Sequence, residues 1–182
     1  MPHRHHRARL PRLPRRTLAA AAAAVVAGCG IAACGLLPGK TFEDDAVVSK
    51  RITAVRLDTH SGGVTVRGGK NGDAVSLHRS VEYHGDRPQG ATHRVEDGVL
   101  VLGGCGDECS VTYTIDLTPA RPQHVRAKTS NGSVTVRMPK GSYDISADTS
   151  NGAKHIGLAD DPAGRYRLIL TTSNGDITAK AA

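Results

Sequence analysis

The first feature of the sequence is an alternation of apolar and polar residues that runs from Lys50 to the end of the chain. Short alternating runs are typical of β-strands with one face in a core and the other in solvent. Glycine-rich turn signals separate these runs. We therefore predict an all-β domain without helices. The clearest predicted strands span residues 52–57, 74–78, 99–102, 111–115 and 134–137.

The second feature is a repeat. The tetrapeptide Thr-Ser-Asn-Gly occurs at 129–132, 149–152 and 172–175, each time between two alternating runs. A more divergent copy spans 55–66, and a weaker one 95–101. A strand–corner–strand unit of ~20 residues cannot bury its apolar face alone, so such units stack on one another. The sequence therefore predicts a short β-solenoid-like stack.

In such a stack the repeated corner has a physical explanation. Asn and Gly tolerate positive φ, so the pair can turn the chain where most residues would be strained. Equivalent residues of stacked strands lie ~4.8 Å apart, which lets neighbouring asparagine amides hydrogen-bond as a ladder beside a row of threonines. Stacking in sequence order places Asn151 in the middle of the ladder. The predicted corner residues are Asn131, Gly132, Asn151, Gly152, Asn174 and Gly175.

A plain hairpin is the alternative, because Asn-Gly is also the strongest short signal for a two-residue β-hairpin turn. The two strands beside each corner would then pair with each other, and the three corners would be unrelated in space. Three copies in the same sequence context favour the stack.

The N-terminus has the pattern of a bacterial export signal. Residues 1–17 hold six arginines and three histidines, and an apolar run follows at 18–27. This run is shorter than the ~20 residues that a membrane-spanning helix needs. A basic start, a short apolar run and then small residues are typical of a secretory signal. The twin arginines Arg15 and Arg16 are a partial match to the export route for folded proteins.

Two cysteines follow small residues, Cys29 after Val-Ala-Gly and Cys34 after Ile-Ala-Ala. Both resemble the lipobox, whose cysteine is lipidated and becomes the first mature residue. Lipidation of Cys34 removes Cys29 with the signal and leaves two cysteines, an even number suited to an oxidising compartment. We therefore predict a signal peptide at 1–33, a tether at 34–49 and a β-strand-repeat domain at 50–182. A cleaved signal without lipid is the alternative.

The predicted signal peptide (the leader) also changes the interpretation of the net charge. The formal net charge of +7 includes the six leader arginines. Without them, 18 basic residues face 17 acidic ones, a net charge of about +1. The high pI therefore gives no reason to expect nucleic acid as a partner.

The two remaining cysteines, Cys105 and Cys109, flank a glycine-rich turn between two predicted strands. Outside the cell this spacing favours a disulfide that closes the turn. The alternatives are weaker, because a metal site needs two more ligands and a redox pair usually has the Cys-x-x-Cys spacing.

No catalytic or metal-binding motif stands out in the sequence. Six histidines are scattered without metal-ligand spacing, and three pairs of acids lie in tether or turn sequence. We expect no enzyme activity, no cofactor and no metal. The histidines are His60, His78, His84, His93, His124 and His155, and the acid pairs are Asp44-Asp45, Asp107-Glu108 and Asp160-Asp161.

The leader, the recurring Thr-Ser-Asn-Gly and the segment Ser-Gly-Gly-Val-Thr-Val at 61–66 together resemble the bacterial β-strand-repeat family of putative adhesins. This resemblance covers residues 50–182 and implies a β-solenoid-like fold without a settled enzymatic role. Relatives often carry more repeats after a segment like 114–117, whereas here the chain passes directly to the last three.

The expected protein is a lipoprotein on the outer face of the cell membrane, whose β domain serves as a binding or structural surface. The expected partners are the membrane, through the lipid, and a cell-wall glycan or an envelope protein. Two alternatives are a surface glycan-active enzyme on a β-helix, by analogy of fold alone, and an accessory of an envelope-sensing system.

Overall fold

The computed structural model describes residues 39–69, 74–89, 93–117 and 122–182. These residues form β-strands and no helix, which confirms the all-β prediction. Within these ranges, accordingly, there is no helix of membrane-spanning length and apolarity. The predicted signal peptide and Cys34 lie outside the described residues. The strands are β1 (Lys40–Val48), β2 (Ala54–Ser61), β3 (Val64–Gly68), β4 (Val75–Tyr83), β5 (His93–Glu96), β6 (Val99–Gly103), β7 (Cys109–Leu117), β8 (His124–Asn131), β9 (Val134–Met138), β10 (Ser142–Asn151), β11 (Lys154–Ile156), β12 (Ala159–Asp160), β13 (Tyr166–Asn174) and β14 (Ile177–Ala181).

The strands form two mixed seven-stranded sheets. Sheet A has the order β1-β4-β7-β3-β9-β14-β11, and sheet B has the order β12-β10-β13-β8-β2-β6-β5. Pairing is antiparallel where β1 and β4 join sheet A and where β5 joins sheet B. All other pairs are parallel.

Each repeat contributes one strand to each sheet, and we call such a strand pair a rung. The rungs are β2–β3, β8–β9, β10–β11 and β13–β14, and in each one the chain crosses from sheet B to sheet A. This excludes the hairpin interpretation of the three Thr-Ser-Asn-Gly corners, because a hairpin keeps both strands paired in one sheet. Strands β6 and β7 form a fifth rung in the same way.

The rungs do not follow the order of the sequence. Both sheets place β13–β14 between β8–β9 and β10–β11. The third Thr-Ser-Asn-Gly copy therefore lies between the first and the second. The expectation that Asn151 occupies the middle is wrong, since Asn174 pairs with Asn151 on one side and Asn131 on the other.

The core lies between the inward faces of the two sheets and is mainly aliphatic. Val66, Val136 and Ala179 are in register on adjacent strands of sheet A, and all three are fully buried. The core also contains tyrosines, and two of them are fully buried with phenols that donate to carbonyls: Tyr113 to Gly103 and Tyr143 to Pro139, both at 2.6 Å. A buried phenol needs such a partner, so these bonds permit large rings in a core of small side chains.

The two ends of the stack differ. At one end β5 is the edge strand of sheet B, while β4 and β1 extend sheet A. At the other end β10–β11 is the outer rung, and β12 pairs with only two residues of β10. There Lys154 occupies the register position that Val134 and Ile177 hold in the inner rungs, and its ammonium lies 3.4 Å from the carbonyl of Ala147. A charge at an inward position of an edge strand opposes further strand addition.

The N-terminal part of the described chain departs from the prediction. The sequence predicts a tether over residues 34–49, but Lys40–Val48 is strand β1, which pairs with β4 along its whole length. The alternation is hard to recognise because an acid interrupts the inward face. Phe42 and Ala46 pack against the core, and Asp44 lies between them.

Asp44 is accommodated at this position by an ion pair with Arg79, which lies opposite it on β4. The guanidinium donates from Nε at 2.8 Å and also from Nη2 to the carboxylate. The hydrogen bond from Arg79 holds the pKa of Asp44 below its usual range, and the same bond raises the pKa of Arg79. Arg79 is only 9% exposed, so the carboxylate of Asp44 neutralises a largely buried cation.

The weak repeat copy at 95–101 is not a rung corner. Asp97 and Gly98 have φ of 48° and 78° and join β5 to β6 as an antiparallel hairpin within sheet B. Two successive residues with positive φ are characteristic of the tight turns of two-residue hairpins. Asp97-Gly98 is therefore the turn of a β-hairpin and not a repeat corner.

Candidate functional site

The corner glycines form a column that runs across the rungs. Gly132 and Gly175 have φ of 147° and 148°, and a Cβ on either would lie under 3.0 Å from the carbonyl oxygen of the adjacent rung's glycine. Each glycine N–H donates to an asparagine carbonyl of the neighbouring rung, at 2.9 Å for both Gly132 and Gly175. Glycine is therefore required at these corners by backbone conformation and by close approach of the neighbouring chain.

The asparagines form the predicted ladder. The Asn151 amide donates to Oδ1 of Asn174, and the Asn174 amide donates to Oδ1 of Asn131, both at 2.9 Å. Their role differs from the prediction in one respect. In the described part of the chain Asp97 is the only non-glycine residue with positive φ, so the asparagines do not turn the chain. Gly132 and Gly175 supply positive φ at their corners, whereas Gly152 does not have a positive φ. The asparagines connect the rungs.

The threonines of the repeat have a role that the sequence does not reveal. Each hydroxyl donates at 2.9 Å to the corner-glycine carbonyl of an adjacent rung: Thr129 to Gly62, Thr172 to Gly132 and Thr149 to Gly175. Thr129 and Thr172 are almost fully buried. A buried hydroxyl requires a hydrogen-bond partner. The corner carbonyls provide it, and the same bonds hold these carbonyls in place. The whole tetrapeptide column is thus a structural joint between rungs.

The Cys105–Cys109 disulfide is present, which confirms the predicted bridge. It lies in the loop that joins β6 to β7, at the position where the other rungs have their corner glycine. The loop replaces the compact corner by a wider, cross-linked connection. A short closed loop of this kind gives a stabilisation at the low end of ~2–4 kcal/mol.

A concave surface lies beside the disulfide loop. One part of it has a volume of about 550 Å³ and is lined by Glu82, His84, Asp107 and Glu108 together with Ser61. Acids from β4 and from the loop thus come together with one histidine. This arrangement offers acceptors for hydroxyl or amine donors of a ligand. The predicted turn acids Asp107 and Glu108 are part of it. Glu82 joins it through the pairing of β4 with β7, and His84, just after β4, joins it through its N–H, which donates to the Glu108 carbonyl at 3.2 Å. The sequence alone indicates neither contact.

The other predicted acids and histidines are dispersed. Nδ1 of His78 lies 2.9 Å from a carboxylate oxygen of Asp45 on the outer face of sheet A. Asp160 accepts from the Ile145 N–H, and Asp161 accepts from the Ser142 hydroxyl, which lowers the pKa of Asp161. Over the residues that the structure describes, no three His, Cys, Asp or Glu side chains converge as metal ligands.

Comparison with solved structures shows structural similarity. No family model and no curated protein matches the chain. Among solved structures the chain is similar to a putative cell adhesion protein from Clostridium sporogenes ATCC 15579, with a TM-score of 0.40 and 12% identity. The alignment covers 79% of this chain and 100% of that one. A TM-score of this size does not establish a shared fold.

Proposed function

We propose that the protein is a lipoprotein of the cell envelope and belongs to the β-strand-repeat family that its sequence resembles. Its domain is a short solenoid-like stack that presents a regular, rigid surface for binding or for structural support, without catalysis of its own. The observation that carries this proposal is the corner column. Glycine and threonine join the four rungs β2–β3, β8–β9, β13–β14 and β10–β11, and asparagine joins the last three of these. Equivalent outward side chains are therefore held in register across four strands of each sheet.

A short connection between lipid and domain is part of the proposal. Five residues, 35–39, separate Cys34 from the first residue of β1. Even fully extended, they span only about 17 Å. The domain of a protein lipidated at Cys34 would therefore lie close to the membrane surface, where the partners to be tested are envelope polymers and other envelope proteins.

We expect Cys34→Ala to release the exported protein from the membrane fraction into the medium, because the lipid chain is the predicted anchor. The measurement is an immunoblot of membrane and medium fractions from the expressing bacterium. Cys29→Ala is the matched control and should remain in the membrane fraction. Release of Cys29→Ala with retention of Cys34→Ala would assign the anchor to Cys29. Retention of both variants would contradict lipid anchoring altogether.

A further inference from the structure

A row of positive charge crosses the outer face of sheet A. Arg67 on β3 is in register with Arg137 on β9, and Arg137 is in register with Lys180 on β14. All three alternate with buried residues of the same strands, so they project from the outer face. We call these three residues the basic row.

The basic row places like charges side by side. Neighbouring strands lie ~4.8 Å apart, and like charges opposite one another on a sheet are destabilising. At one end of the row, Nη1 of Arg67 lies 3.7 Å from a carboxylate oxygen of Asp116, which offsets the repulsion on Arg67. Arg137 and Lys180 have no acidic partner within 4.0 Å among the described residues, and both are exposed. The charge of these two residues is therefore available to an external anion.

A row of hydroxyls runs parallel to the basic row. Thr65, Thr135 and Thr178 lie two residues before the three cations on the same strands, and they are in register with one another. Residues two apart on a strand share a face and are ~6.7 Å apart. The outer face thus presents a line of guanidinium and ammonium donors beside a line of partly exposed hydroxyls.

We propose that the basic row binds a linear phosphodiester polymer that runs across the strands. Each phosphodiester carries one negative charge and two free oxygens, which can accept from the planar fork of Arg137, from the ammonium of Lys180 and from the neighbouring threonine hydroxyls. The inference rests on the proposed function, since it names the ligand class of one of the surfaces proposed there. Binding depends on the local row, because the net charge of the predicted mature chain is only about +1.

A linear polymer suits this face better than an anionic membrane does. Glu43 and Asp45 on β1 and Glu82 on β4 are exposed on the same outer face. A planar anionic surface would bring its charges against these carboxylates as well as against the basic row. A flexible chain can follow the row and avoid the acids.

The test compares two double variants that each remove two positive charges from an outer face. Arg137→Gln/Lys180→Gln interrupts the basic row. Arg56→Gln/Arg126→Gln is the matched control on sheet B, where the two exposed arginines are in register but Asp58 lies in the next row of the same face. The purified full chain is titrated in neutral detergent into fluorescein-labelled poly(glycerol phosphate), and binding is followed by fluorescence anisotropy at several salt concentrations.

We expect the basic-row variant to bind at least about ten-fold more weakly and to lose roughly one unit or more of the slope of log K against log salt, since it removes two phosphate contacts. The control should change affinity by less than about two-fold. Three outcomes would overturn the inference: equal losses in both variants, no binding of the polymer by wild type, or a basic-row defect that appears with phosphatidylglycerol vesicles and not with the polymer. Polymer binding in this assay does not depend on lipidation. The binding test can therefore fail while the Cys34 experiment succeeds, and the Cys34 experiment can fail while the binding test succeeds.

Discussion

Gly175→Ala is expected to lower the free energy of unfolding by about 3–5 kcal/mol, because two costs add at this corner. The backbone φ of 148° is strained for any L-residue with a side chain. The new Cβ would also lie under 3.0 Å from the Gly132 carbonyl oxygen. That oxygen cannot withdraw freely, since it accepts the buried hydroxyl of Thr172. The measurement is the urea unfolding midpoint at neutral pH.

Gly106→Ala is the matched control for the conformational part of this cost. Gly106 also has positive φ, 108°, but a Cβ there meets nothing within 4 Å. We expect this variant to lose only about 1–2 kcal/mol. If Gly175→Ala were no more destabilising than Gly106→Ala, the close approach of the rungs at the corner would be wrong.

Asn174→Ala is expected to be the most destabilising change in the asparagine ladder. It removes the bond that Asn174 donates to Asn131 and the bond that it accepts from Asn151. Each such bond contributes about 0.5–1.5 kcal/mol, so the loss should be about 1–3 kcal/mol. Asn131→Ala and Asn151→Ala each remove one ladder bond and should cost roughly half as much. The three urea midpoints, measured side by side, give the ranking.

The ranking is informative because the two possible rung orders predict different middle residues. A stack in sequence order makes Asn151→Ala the costliest change and reduces Asn174 to an end position. Equal and negligible effects at all three sites would show that the exposed amides are bonded to water just as well as to each other.

Much of this fold follows from local sequence patterns. The alternation locates most strands, and the repeated tetrapeptide locates the corners that join the two sheets. The Cys105–Cys109 spacing predicts its disulfide because both residues flank one short turn. These features are predictable because each depends on residues that are close together in the chain.

The order of the rungs is harder to predict, because all three tetrapeptides make the same contacts and any order would satisfy them. One signal is nevertheless present in the sequence. After the corner the second copy has Lys154 where the other two have Val134 and Ile177. A lysine at an inward position is tolerable only at an open end of the stack, so the second copy has to be the outer rung.

Strand β1 and the concave surface are missed for another reason, which is that both depend on distant pairing. Asp44 makes the inward face of β1 look polar until Arg79 is placed opposite it. Glu82 and His84 join the disulfide loop only because β4 pairs with β7. Neither relation has a local sequence signal.

The third repeat lies between the first and the second, and disulfide trapping can check this order. On the outer face of sheet B, Thr171 is in register with Lys128 on one side and Asp148 on the other. Lys128→Cys/Thr171→Cys places two thiols on adjacent strands, ~4.8 Å apart at Cα, within the range for a disulfide. Lys128→Cys/Asp148→Cys places them two strands apart, at ~9.6 Å, which is too far.

Intact mass analysis after mild oxidation and alkylation of the folded protein reads out the result. We predict that the first pair forms a bridge, whereas both thiols of the second pair stay free and are alkylated. A bridge in the Lys128→Cys/Asp148→Cys variant, with free thiols in the other, would show that the repeats stack in sequence order and that the third repeat is not in the middle.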